Sequence, residues 1–98
     1  MKFMITWRFQ PGKLHDGLAH FSQMTPEQDK EDRGSSINLI GRWHDLARGR
    51  GVLICESDSA EAVSNWALNW NGILDLDVAL VLDDKETRAL GKKRAKRS

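Results

Sequence analysis

Apolar and polar side chains alternate along two stretches of the chain, one near its start and one near its end. Residues 2–9 place aromatic residues and isoleucine on one side, and residues 73–82 place leucine and valine opposite two aspartates. Because successive side chains of a strand point to opposite faces, both stretches predict strands with one buried face. Residues 37–44 and 51–56 predict two shorter strands, joined by a hairpin loop over residues 45–50.

A first helix is predicted after the first strand. Leucine and phenylalanine residues within 14–21 fall at positions i, i+4 and i+7, so one stripe of this helix is apolar. The helix is expected to end before Pro26. Residues 25–36 are rich in charged residues, glycine and serine and predict a surface loop, in which Thr25 and Gln28 could cap a helical turn.

A second helix is predicted between the third and fourth strands. Its apolar stripe has the spacing i, i+3, i+4 and i+7 and consists of Val63, Trp66, Ala67 and Trp70. Asp58 is the expected N-cap, with Glu61 completing a capping box. Asn71-Gly72 predicts a left-handed end to the helix.

The order of these elements is strand, helix, strand, strand, helix, strand. With right-handed crossovers this order predicts an antiparallel sheet with both helices on one face, which is the ferredoxin-like βαββαβ sandwich of the α+β class. We expect residues 1–84 to form this domain. Residues 85–98 are expected to form a short helix to Leu90, followed by a basic tail.

The sheet face opposite the helices is too apolar to meet water and too charged for a dry core. Its expected members are Met4, Thr6, Arg8, Ile40, Arg42, His44, Asp75, Asp77, Ala79 and Val81. A homodimer that packs two such faces together, with charged residues paired across or around the seam, satisfies both conditions. A β-bulge at Gly41 would shift the alternation of its strand and is the open alternative there.

Composition agrees with a small soluble domain that gains from self-association. Folding a chain of 98 residues hides about 60 to 65% of its unfolded surface. The hydrophobic share of 40% and the charged share of 30% are typical of a soluble globular protein. No apolar run is long enough to cross a bilayer, and residues 1–7 lead into Arg8 without a signal-peptide cleavage site, so a cytoplasmic location is expected.

Four stretches of the sequence together resemble a known family. They are Met1–Trp7, Gly41–Asp45 (GRWHD), Trp66–Asn71 (WALNWN) and Val81–Asp84. They are similar to an uncharacterised bacterial family, domain of unknown function number 3303, over roughly residues 1–84. The resemblance implies membership of the dimeric α/β-barrel superfamily and no particular activity. The charged stretch around 27–35 and the basic tail depart from the family pattern, so the resemblance implies no role for them.

Four tryptophans are a high count for a chain of this length. They are Trp7, Trp43, Trp66 and Trp70, which lie on two predicted strands and on the predicted helix that covers them. Such rings usually form an aromatic core. The alternative is a pocket between sheet and helix, with indole N–H groups as donors to a bound small molecule. Cofactor-free enzymes of the resembled superfamily have sites in this place, which favours the pocket by analogy alone.

His44 is the candidate general base, although no catalytic residue can be assigned. It lies at the end of a predicted strand beside Asp45, and a neighbouring carboxylate could orient and charge its ring. The alternative is a surface or interface histidine, since the sequence displays no matched catalytic partner. Arg42 and Asn69 are the other expected polar contacts of a ligand.

No metal site or cofactor is expected. Cys55 has no closely spaced Cys or His and is predicted to be a small buried hydrophobic residue. Some families of the resembled superfamily bind haem through a helix histidine, but the second predicted helix contains none. Phosphate-loop and dinucleotide motifs are missing as well.

The formal net charge of +1 hides an asymmetry. The last eight residues contribute +5, and the rest of the chain contributes −4. This tail could contact the phosphates of a nucleic acid. It contains no aromatic residue to stack on bases, so a disordered, solvated terminus is expected and nucleic acid is not an expected partner.

These observations lead to one hypothesis and two rivals. The leading hypothesis is a homodimeric small-molecule-binding domain, which could be a cofactor-independent enzyme. The first rival is a non-catalytic interaction or structural module, in which the tryptophans are simply core. The second is weak nucleic-acid binding through the basic tail. The identity of the ligand and the type of reaction are left open.

Overall fold

The computed structural model describes residues 1–97, which form an antiparallel four-stranded sheet and four helices of the α+β class. In chain order the elements are β1 Lys2–Phe9, α1 Leu14–Gln23, α2 Pro26–Arg33, β2 Asn38–Asp45, β3 Arg50–Glu56, α3 Ala60–Trp70, β4 Leu74–Val81 and α4 Asp84–Arg97. The strands lie in the order β2-β3-β1-β4, with antiparallel neighbours. This arrangement is compatible with the expected βαββαβ fold, with α2 and α4 added. Ser98, the last residue of the predicted tail, lies outside the described residues.

The stretch that was expected to be a surface loop contains a two-turn helix, α2. A capping box starts it: the Gln28 N–H donates to Thr25 Oγ1 at 3.1 Å, and the Thr25 N–H donates to Gln28 Oε1 at 2.9 Å. Pro26 is the first helical residue, where its missing N–H costs nothing. Gly34 ends the helix with a φ of 87°. The predicted cap was therefore correct, but local polarity concealed the length of the helix.

The ends of α3 differ from those predicted. Ser59, not Asp58, is the N-cap, and its Oγ accepts the Ala62 N–H at 3.0 Å. Asn71 has a right-handed φ of −68°, so the predicted left-handed end is wrong. The Ile73 N–H donates to the Trp70 carbonyl at 3.0 Å instead, and the chain leaves the helix through an ordinary turn.

The core lies between the sheet and the helices. Its buried members include Phe3, Ile5 and Trp7 on β1, which confirms the predicted face of that strand. Gly51 of β3 lies opposite Trp7 in the sheet. A Cβ atom on Gly51 would lie 2.2 Å from the Trp7 ring and 2.8 Å from the Trp43 carbonyl oxygen. The absent side chain therefore provides the space in which the Trp7 indole lies.

A β-bulge in β2 decides which of its side chains face the helices. The pairing with β3 shifts between Leu39 and Gly41. After the shift, Arg42 and His44 occupy the face that carries the core, and Trp43 occupies the opposite face. The expected placement of Arg42 and His44 on the open face is therefore wrong, and the alternative of a bulge at Gly41 is confirmed.

The C-terminal segment is helical as far as Arg97, and the expectation of a disordered tail after Leu90 is wrong. Asp83 caps α4 by accepting the Glu86 N–H at 2.8 Å. Lys2 of β1 lies 3.3 Å from Asp83 and 3.2 Å from Glu86, which ties the base of the helix to the sheet. None of the α4 residues is buried, and the described part of the molecule measures 53 × 29 × 19 Å.

Candidate functional site

A partly open cleft of about 80 Å³ lies between α1, α3 and the helix-facing side of the sheet. Its walls are apolar and combine aliphatic side chains with the aromatic rings of Trp7, Phe21, Trp66 and Trp70. Arg42 and His44 from β2 supply polar groups beside these rings. The site therefore combines apolar walls with a few hydrogen-bonding groups, as small-molecule sites do.

The seven residues expected to contact a ligand do not all meet here. Five of them line the cleft, namely Trp7, Arg42, His44, Trp66 and Trp70. Trp43 lies on the opposite face of the sheet and is 60% exposed. Asn69 does not line the cleft and donates a hydrogen bond to α2 instead. The bulge explains the position of Trp43, because neighbouring residues of a strand face opposite sides.

Asp32 of α2 is an important residue that the sequence analysis missed. Its Oδ2 accepts the indole N–H of Trp70 at 2.7 Å and that of Trp66 at 3.0 Å. Asn69 Nδ2 donates to Asp32 Oδ1 at 3.2 Å and to its backbone oxygen at 2.9 Å. Two of the indole N–H groups that were expected to serve a ligand are thus already bound to a carboxylate.

Asp29, one helical turn before Asp32, holds the second polar contact of α2. Its two carboxylate oxygens accept bidentate hydrogen bonds from Arg42 at 3.1 and 3.0 Å, and Arg33 binds it at 2.9 Å. Burial raises the pKa of Asp29, but Arg42 and Arg33 outweigh this effect and hold the pKa below 3.8. Arg42 also lies over the Phe21 ring, 4.8 Å from its centre.

One signal in the sequence could have revealed these two aspartates. The capping box at Thr25 and Gln28 marks a helix start, and residues three apart on a helix share a face. If the predicted helical turn at Thr25 is extended by a second turn, Asp29 and Asp32 lie side by side on one face of it. Their partners could not have been identified in this way, because β2 and α3 lie further along the chain.

His44 lies among aromatic rings. Its ring centre is 5.6 Å from that of Trp7 and 5.2 Å from that of Phe21. Burial lowers the pKa of His44 below 6.5, and the charge of Arg42 lowers it further, although part of the residue remains exposed. Asp45 faces the other side of the sheet and pairs with Arg50 at 3.1 Å. The expected charging of His44 by Asp45 is therefore wrong, and burial and Arg42 both favour the neutral imidazole.

The other side chains that could bind a metal ion or react do not cluster in the described part of the chain. Within residues 1–97, no group of three or more His, Cys, Asp or Glu side chains has an arrangement that could hold a metal ion. Cys55 is completely buried, and burial raises the pKa of its thiol. None of the helices in these residues has the length and apolar character required to cross a membrane.

The fold and the cleft define the class of protein as a small α+β domain with an aromatic cleft between its sheet and its helices. A family model described as a domain of unknown function, DUF3303, matches residues 1–95, and the chain belongs to this family. The match includes α2, and it continues over most of α4, beyond the residues 1–84 over which the sequence resemblance was apparent. No curated protein matches the chain.

Proposed function

We propose that this chain is a homodimeric small-molecule-binding domain whose ligand occupies the aromatic cleft. The observation that carries the proposal is the convergence of Trp7, Trp66 and Trp70 with His44 in one partly open cavity. Aromatic walls favour an apolar, preferably planar ligand. In its neutral form, the His44 ring can form a hydrogen bond with the ligand as donor or as acceptor.

The size of the cleft limits what it can hold in this state. Its volume is about 80 Å³, whereas a cavity of roughly 150 Å³ accommodates benzene and ligand pockets are usually larger still. A ligand of one ring or more therefore needs the cleft to widen. Of the two helices that line the cleft, α1 is the better suited to move, because it buries only Gly17, whereas α3 buries Val63 and Trp66.

A catalytic role would extend the same proposal. If the domain is a cofactor-independent enzyme, His44 is the group that would take a proton from the ligand, because burial and the charge of Arg42 lower its pKa and favour the unprotonated imidazole. Among the described residues, no carboxylate is in contact with His44, so no neighbouring negative charge would stabilise its protonated form. Binding is accordingly the primary proposal, and catalysis is an extension of it.

The open face of the sheet supports the homodimeric part of the proposal. Met4, Val52 and Ile54 form an apolar centre on this face, and Trp43 stands beside them. Exposed apolar surface of this kind favours burial against another protein surface. A two-fold symmetric dimer would bury the same patch on both copies, so one surface of the chain is enough to form it.

The indole N–H signals of the four tryptophans provide a test of the binding site. We would titrate the uniformly ¹⁵N-labelled protein with indole and with phenol as probes and record the Nε1–H signals. Binding in the cleft should shift the signals of Trp7, Trp66 and Trp70 and leave that of Trp43 unchanged. Trp43 is an internal control because it lies on the other face. Shifts confined to Trp43, or no shifts at millimolar probe, would contradict the proposal.

Native mass spectrometry of the purified full chain is the second measurement. A retained compound that is lost when Trp70 is replaced by Leu would support the cleft as its site. A compound that is retained equally by the Trp70→Leu variant would contradict it. The matched control is Trp43→Leu, which removes the same ring from the open face.

An interaction module is the second candidate, and the exposure of Trp43 favours it. A large aromatic ring that is 60% exposed is the kind of anchor that protein interfaces use. On this interpretation the other three tryptophans are core only. A partner protein that shifts the Trp43 signal, with no response to small probes, would favour this candidate.

A further inference from the structure

Helix α4 projects from the domain as a highly charged element. It contains 14 residues, none of them buried, and the described ion pairs that join it to the sheet are made at its base by Lys2. Polar helices of this length that bury no residue are only marginally stable in water. A helix of this kind gains stability when a partner neutralises its charge.

Four basic residues of α4 share one face of the helix. This basic stripe consists of Lys85, Arg88, Lys92 and Lys96. The last three fall three, seven and eleven residues after the first, so the stripe spans about 80° of arc and about 16 Å of helix length. Arg88 lies 3.9 Å from Asp84 but remains 73% exposed. The stripe is thus available to a partner.

The two ends of α4 have opposite character. Acidic Asp84 and Glu86 lie in the first turn, and basic Arg94, Lys96 and Arg97 lie in the last. This order is favourable for the helix dipole and places the positive charge away from the sheet. The chain before its last eight residues has a formal charge of −4, so the positive surface is concentrated on this one element.

We infer that α4 is a docking helix for the phosphate backbone of a nucleic-acid duplex. The regular basic stripe complements a regular row of phosphates, which are the main source of affinity in such complexes. Helix α4 contains no aromatic residue, which disfavours stacking on the bases of single strands. Leu90 is its only large apolar residue, so it lacks the apolar face that a membrane-surface helix needs.

This inference differs from the sequence-based expectation because the segment is a helix. In a disordered tail, all the charges are equivalent and bind any polyanion weakly. In a helix, the charges on one face act together and those on the opposite face do not. Arg94 lies about 180° from Lys85, and Arg97 about 120°.

Fluorescence anisotropy with the full-length protein tests the inference. The probes are labelled 20-base-pair DNA and RNA duplexes, which differ in groove shape but share the phosphate backbone. Four phosphate contacts predict that log K falls with log salt with a slope of about −3.6. The double variant Lys92→Gln and Lys96→Gln should bind at least tenfold more weakly and have a slope of about −1.8. Glutamine retains the helix propensity of lysine.

The matched control is the double variant Arg94→Gln and Arg97→Gln, which removes the same charge from off the stripe. Its affinity should change by less than threefold, and its salt slope should match that of the unmodified chain. Far-UV circular dichroism verifies that both variants retain the helix. Equal losses in the two variants, no binding to either duplex at 50 mM salt, or tighter binding to phosphatidylserine vesicles than to duplexes would each overturn the inference.

Discussion

Asp32 is a single carboxylate that organises one wall of the cleft. It accepts hydrogen bonds from two indole groups and one amide of α3. These bonds hold Trp66 and Trp70 in fixed orientations, and they fasten α2 to α3. A ligand that needed either of these indole N–H groups would have to displace Asp32, so both tryptophans contribute apolar surface to the cleft.

Replacing Asp32 by Ala should lower the free energy of unfolding by about 2 to 3 kcal/mol, because hydrogen bonds to a charged acceptor are lost. Urea denaturation measures the change. Glu31→Ala is the matched control, since it removes the same charge from an exposed neighbour on α2. A control variant that loses as much stability as Asp32→Ala would show that only the charge of α2 matters.

His44 should make stability depend on pH in a defined window. Its pKa in the folded protein lies below the ordinary value of 6.5, so the unfolded chain binds a proton more readily. The contribution of neutral His44 to the free energy of unfolding is therefore complete above pH 6.5. It is lost as the pH falls from there through the pKa of His44 in the folded protein. Arg42, which contributes to the lowered pKa, is itself paired with Asp29.

We expect the urea midpoint to fall between pH 7 and pH 5, and to fall less in a His44→Gln variant. The control is His15→Gln, because His15 is exposed on α1. An NMR titration of the His44 ring gives the folded pKa directly. A midpoint at or above 6.5 in that titration would contradict the expected direction.

At the scale of the elements, strand β3 contributes to the cleft through Gly51, a residue without a side chain. Gly51 leaves space for the Trp7 indole, which forms part of the cleft wall. Gly51→Ala should lower the free energy of unfolding by about 1 to 3 kcal/mol, because the added methyl group meets both ring and backbone. Thermal or urea denaturation measures this loss.

Gly72→Ala is the control for that experiment. A Cβ atom there has nothing within 4 Å, and Gly72 has no positive φ. A change within about 0.5 kcal/mol is expected at such a site. Similar losses in both variants would mean that glycine content, not space for Trp7, explains the effect.

The elements also show where sequence reasoning succeeded. Strand β1 and helix α3 have strong periodicities, and their buried faces are those predicted. Helix α2 was missed because it buries nothing, and periodicity detects only helices with an apolar stripe. The core face of β2 was misplaced for a related reason, since a bulge interrupts the alternation of side chains on which the prediction relied.

For the domain as a unit, the open face of the sheet predicts self-association. Size-exclusion chromatography with light scattering should give twice the chain mass of 11.1 kDa at micromolar concentration. Trp43→Glu should weaken the dimer at least tenfold, because it places an unpaired charge beside the apolar centre of the proposed interface.

Leu68→Glu provides the comparison for the dimer. Leu68 is 65% exposed on α3, and the same charge is introduced on a surface away from the open face. The molecular mass of the Leu68→Glu variant in solution should equal that of the unmodified protein. A monomeric unmodified chain at high concentration, or equal effects of the two substitutions, would argue against an interface on the open face.

Local patterns in the sequence were sufficient to specify most of the elements, their order and the apolar side of most of them. The physical reason is that these properties are periodic: a strand repeats every two residues and a helix every 3.6, so a short window contains the signal. The order of the elements then restricted the topology to a sandwich with which the observed strand order is compatible.

The side chains that meet in the cleft could be identified only from the packed molecule. The hydrogen bonds of Asp29 to Arg42 join residues 13 apart, and those of Asp32 to Trp66 and Trp70 join residues 34 and 38 apart. No local pattern specifies such partners, because they depend on how the elements pack. The bulge in β2 likewise became visible only through its pairing with β3, and it places His44 in the cleft and Trp43 outside it.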